Sequence, residues 1–319
     1  EVNELGFAPP PLGEGEKLRC HIKNINHNGL THAATGKTAW IEINNDIAAY
    51  TRRVLGDEKA QSVVADPEGL QAGMLKACCA HEFFHCCQAS YDWEEANWWC
   101  EATAEWAGNA VFPESKFYTN NIKPRFENPH ISLFSPEGWY EYAASIWAFY
   151  LAENLGGAEV IRKIWEGCRG SNTVVQATKS VLGDMKEQYL YFACYNYLRA
   201  YADGDRFPSM KAFEVEEPGL ISSEGLEAPR SFGSNYCRMS QNISDGLEIL
   251  VRATKDQAGG ARIITIRNGR WKILPHTMNN GVLEMTVSGS EGLEEVIVVI
   301  AGFQSSGVFS YDLELRSLR

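Results

Sequence analysis

The hydrophobic pattern changes its period near residue 205, and that change bounds what the chain can fold into. Before it, aromatic and alanine-rich segments recur at helical spacing. After residue 234, short β-branched runs alternate with turn residues. A stripe with the helical period cannot sit as a strand, nor the reverse. The pattern therefore predicts an α+β chain. A mainly helical domain with a small early sheet occupies residues 1–205, and a C-terminal β-sandwich occupies residues 234–319. Residues 206–233 hold three prolines and no sustained period, which marks a linker. Candidate strands are residues 247–251, 261–266, 270–274, 282–287, 295–300 and 308–315, with Asn268-Gly269 and Asn280-Gly281 as turn signals. In the first domain, residues 38–44 alternate like a strand. Asp66-Pro67 then opens a helix that reaches about Gln88. Further helices are expected at residues 98–110, 139–155, 159–168 and 173–200.

Charge excludes whole classes of partner. Lys and Arg total 29 against 41 Asp and Glu, a net charge of -12, which repels nucleic-acid phosphates and anionic membrane surfaces. The longest apolar run, residues 296–302, is far short of the roughly 20 residues that span a bilayer. Nine cysteines without a CxxC pair argue against a zinc ribbon, and their number points to an oxidising, secreted or periplasmic location.

The segment His81-Glu82-Phe83-Phe84-His85 carries the chemistry. Residues four apart on a helix lie about 40° apart around the axis, so both imidazoles leave one face and can reach one Zn²⁺. Glu82, offset by roughly 100°, is placed to act as general base on an attacking water. A catalytic zinc takes three protein ligands. Downstream, Trp98-Trp99-Cys100-Glu101-Ala102-Thr103-Ala104-Glu105-Trp106 puts two carboxylates on one helical face. One of them can bind the metal while the other hydrogen-bonds a ligand histidine. Cys78, Cys79, Cys86 and Cys87 bracket the histidines, but two helical turns separate the pairs, so a thiolate-ligated ion is disfavoured and core packing preferred.

These motifs resemble the gluzincin metallopeptidases, the group of thermolysin and the zinc aminopeptidases, whose signature is HExxH followed by a glutamate on a later helix. The Trp98 segment matches the aminopeptidase Trp-Leu-Asn-Glu-Gly-Phe-Ala at Trp98, Glu101 and Ala104. The chain also resembles a little-characterised set of secreted bacterial proteins taken for metalloproteases. Those carry His-Glu-Phe-Phe-His-x-x-Gln, Trp-x-x-Glu-x-Thr-Ala-x-Trp and Phe-Ala-x-x-Asn-Tyr-Leu segments, which read here as residues 81–88, 98–106 and 192–198. The likeness spans about residues 38–205. It implies His81, His85 and Glu101 as Zn²⁺ ligands, with Glu105 behind them. Only 15 residues separate His85 from Glu101, fewer than in the best-known gluzincins, whereas Glu105 lies at 19. The local motif selects Glu101. Gluzincins also use a Tyr or His on the oxyanion. Likeness to an aminopeptidase Tyr-Glu-Lys-Gly segment points to Tyr140, helical period puts Tyr142 inward with Trp139, Ile146 and Phe149, and His130 is a third candidate.

The function expected from all this is zinc-dependent hydrolysis of peptide or protein substrates, with residues 39–44 as an edge strand for an extended peptide. The alternative is a non-enzymatic zinc-binding or partner-binding module whose β-sandwich serves adhesion or docking. Glu82 argues against it, because a structural site has no use for a base.

Overall fold

A computed structural model describes residues 2–116, 118–170, 172–241, 243, 245–254, 257–275, 278–289 and 292–318. Helices and several sheets both contribute, so the chain is α+β. It divides into two units, Glu1–Ile122 with Glu141–Gly183, and Lys123–Tyr140 with Asp184–Arg319.

The first unit begins with a short helix, α1 (Val2–Leu5), and three strands, β1 (Arg19–Lys23), β2 (Gly29–Ala34) and β3 (Lys37–Asn44). Their order is β1-β3-β2, with β1 parallel and β2 antiparallel to β3. This corrects the expectation that residues 39–44 form an edge: β3 is central, and the edges are β1 and β2. Helices α2 (Ile47–Leu55) and α3 (Asp57–Ala65) follow, parted at Gly56. The Asp66 carboxylate accepts from the amides of Gly69 and Leu70, and after one π-helical turn α4 (Ala72–Gln88) runs as the sequence predicts. Helix α5 (Asn97–Val111) stops before Pro113, and α6 (Tyr118–Asn121) is short.

The chain passes through the second unit in α7 (Lys123–Glu127) and returns through α8 (Tyr140–Ala143), α9 (Ser145–Leu151), α10 (Ala158–Cys168) and α11 (Val174–Leu182). The helix expected over residues 139–155 is therefore broken, and Trp139, left-handed at φ 71° and 53% exposed, is off the inward stripe. The one expected over 173–200 is two helices, because Gly183 turns left-handed and Asp184 caps α12 (Met185–Leu198).

In the second unit β4 (Phe213–Glu214), β6 (Ser234–Met239), β8 (Gly259–Arg267), β9 (Arg270–Ile273) and β11 (Leu293–Gly302) form a sheet in the order β4-β6-β11-β8-β9. A second sheet has the order β10-β7-β12-β5, from β5 (Leu220–Ser222), β7 (Gly246–Ala253), β10 (Val282–Ser288) and β12 (Tyr311–Ser317). Both sheets give alternate residues to one apolar core, including Val298, Ile263, Val251 and Leu313, as a sandwich does. Helix α12 packs on β8 and β11. Strand β11 thus buries both faces, which is why residues 296–301 read as an unbroken apolar run. The expected linker is corrected twice over. Residues 206–233 supply β4 and β5 to the two sheets, and the units part at 183/184, not at 205. Among the described residues no helix is long and apolar enough to cross a membrane.

Candidate metal centre

The site is built on α4 and α5. The helices pass closely because Gly108 has no side chain: a Cβ there would lie 3.1 Å from the Ala77 carbonyl oxygen. From that crossing the helices run antiparallel. One and two turns further along α4 stand His81 and His85, and two turns back along α5 stands Glu101.

His81 Nε2 lies 3.1 Å from Glu101 Oε2 and 3.0 Å from His85 Nε2, and His85 Nε2 lies 3.6 Å from the same carboxylate oxygen. Among the described residues this is the one group of three that could hold a metal ion. Tetrahedral ligands at 2.0–2.1 Å from zinc stand about 3.4 Å apart, and the three separations bracket that value. Two imidazole nitrogens and one carboxylate are also the donor set zinc takes in open, catalytic sites. The residues fit the ion. Burial alone would depress His81, but Glu101, with Glu82 and Glu105 beyond it, raises its pKa to about 9. Burial would likewise raise Glu101, yet His85 and His81 hold it far below the ordinary carboxylate range.

Glu82 is 5% exposed. Its Oε2 accepts a 2.7 Å hydrogen bond from Thr31 Oγ1, on β2. The strand comes this near only because residue 29 is glycine: a Cβ there would lie 2.5 Å from Glu82 Cγ and Oε1. Tyr142 stacks beside His81, ring centroids 6.2 Å apart and planes at 23°. Burial, with Glu101, Glu105 and Glu82 adding, pushes its pKa far up, so its hydroxyl keeps its proton.

Other expected residues are engaged elsewhere. The Tyr140 hydroxyl meets the carbonyls of Pro124 and Asn128 in the second unit, and burial raises its pKa to about 12. His130, also in the second unit, has Nδ1 3.5 Å from Glu227. Glu105 accepts from Asn121 Nδ2 at 2.8 Å rather than from a ligand histidine, and burial raises its pKa. Cys78, Cys86 and Cys87 are buried core residues. The residue that grips a histidine is Gln88, whose Oε1 is 2.8 Å from His85 Nδ1. Gln88 and Thr31 were given no role from sequence. Gln88 had a signal, three residues past His85 in the His-x-x-Gln pattern, whereas Thr31 sits 51 residues from its partner.

The class defined so far is an α+β chain with a partly buried two-histidine, one-glutamate cluster and, next to His81 in the chain, the carboxylate of Glu82. A family model matches residues 38–207, more than half of the chain, and the chain belongs to that family, described as a family of unknown function (DUF6055). No curated protein matches it. Among solved structures, the pre-peptidase C-terminal domain of a collagenase from Bacillus anthracis is similar at 11% identity and a TM-score of 0.24, over 33% of this chain and 95% of that domain.

Proposed function

We propose that this chain is a zinc-dependent metallopeptidase of gluzincin type, with a helical catalytic part and a trailing β-sandwich. The observation that carries the reading is Glu82 held beside the His81–His85–Glu101 set, because a purely structural metal site needs no such base. A zinc ion held by those three side chains supplies Lewis acidity toward a peptide carbonyl and a water. Glu82, oriented by Thr31, takes a proton from the attacking water and delivers it to the departing amine. Tyr142, kept protonated by burial, donates a hydrogen bond to the oxyanion. The substrate strand pairs with β2, the edge on the Glu82 side, and its side chains enter the depression lined by Thr31, His32, Ala33, Ala34, Lys37 and Trp93. Trp93 joins this depression to the cluster, its ring 6.3 Å from that of His85.

The test is cleavage of a diverse peptide library by wild type and Glu82→Gln, with zinc content measured in parallel. The variant should keep its zinc and lose about 10²–10⁴-fold in rate. Equal cleavage by both zinc-loaded proteins would refute the assignment of the base.

A further inference from the structure

We infer that Gln88 is a positioning residue that sets the tautomer of His85 and ties it to the backbone carrying Glu101. The inference rests on the metal reading above, and it follows from a chain of hydrogen bonds whose direction is fixed at both ends. The Trp165 indole N–H can only donate, and it meets Thr103 Oγ1 at 3.2 Å. The Thr103 hydroxyl donates in turn to the Trp99 carbonyl at 2.8 Å. That leaves Thr103 Oγ1 a lone pair for Gln88 Nε2 at 3.0 Å, while the same nitrogen donates to the Cys100 carbonyl at 2.8 Å.

With both amide hydrogens committed, the end of Gln88 that faces His85 Nδ1 is its oxygen, which can only accept. The hydrogen of His85 therefore sits on Nδ1, and Nε2 keeps its lone pair for the point it shares with His81 and Glu101. Cys100 directly precedes Glu101 in the chain. One amide thus aligns a ligand on α4 and anchors the backbone of a ligand on α5. Gln88, Thr103 and Trp165 are each at most 1% exposed, so water is not at hand to replace a missing partner.

The test compares the full chain with Gln88→Met and Gln88→Glu. Three quantities are read: zinc affinity by competition with a chelator, circular dichroism and melting of the metal-free protein, and the Nδ1–H resonance of His85 in zinc-loaded, ¹⁵N-labelled samples. Gln88→Met should fold, bind zinc about 10–100-fold more weakly and lose the slow exchange of that resonance. Gln88→Glu still offers an oxygen to Nδ1–H, so it should keep the resonance and recover part of the affinity. If Gln88→Met does not fold, Gln88→Asn, one methylene too short to reach His85, takes its place. An affinity within twofold of wild type, or the same loss of resonance and affinity in the Met and Glu variants, overturns the inference and leaves the metal centre standing. Wild type that takes up no zinc at micromolar concentration removes the metal reading, and this inference with it.

Discussion

Both units bury charged side chains, but they close them off differently. In the second unit the Arg125 guanidinium donates to the carbonyls of Ile131 and Phe232 and to the Tyr189 hydroxyl. Arg262 pairs with Glu187 and lies over the Tyr191 ring. In the first unit His81, His85 and Glu101 instead turn three ligand atoms toward one another, all within 4.8 Å. Buried polar groups whose bonds end inside the protein hold structure in place. Groups that aim several lone pairs at one point are stable only with a shared proton or a cation among them. The contrast separates a unit whose buried charges close on internal partners from one in which His81, His85 and Glu101 could hold a metal ion.

The sharpest way to break that contrast is to remove a ligand. His81→Ala should abolish the binding of about one zinc per chain, read by metal analysis after equilibration and desalting. Stoichiometric zinc in this variant would place the ion elsewhere. Next in size, Leu313→Ala truncates a fully buried residue of the sandwich core and should cost about 2–5 kcal/mol of stability. Zinc affinity of the folded protein should stay within twofold, and a parallel fall would mean that cohesion and binding are not separable. The smallest effect is expected from Glu105→Ala, whose carboxylate accepts from Asn121 and not from a histidine. It should weaken zinc binding less than tenfold, against near-complete loss in Glu101→Ala. The reverse order would exchange the two glutamates.

His81 and His85 were legible in the sequence because helical period alone brings them together. Choosing Glu101 over Glu105 needed the local motif, since the register between α4 and α5 is set by the approach of Gly108 to Ala77, and no pattern along the chain encodes it. Thr31 was invisible for the same reason, and Gly29 had no signature beyond being a glycine. Strands β4 and β5, two and three residues long, are too short to show a period, so their segment passed for a linker. Strand β6 is buried almost throughout and does not alternate. Gly183 is a stop signal directly before a capping aspartate, and the chain ends one helix and starts another there.

All three side chains of the cluster come from two consecutive helices, and only 15 residues lie between His85 and Glu101. An ion joining them closes a loop of that size, as a disulfide would, and a cross-link of such a span restrains the unfolded chain by roughly 3 kcal/mol. Unlike a disulfide, such a clasp would open to a chelator and ignore reductant. On the proposed metal reading, the connection at residues 89–96 should resist proteolytic nicking better in zinc-loaded protein than in chelator-treated protein.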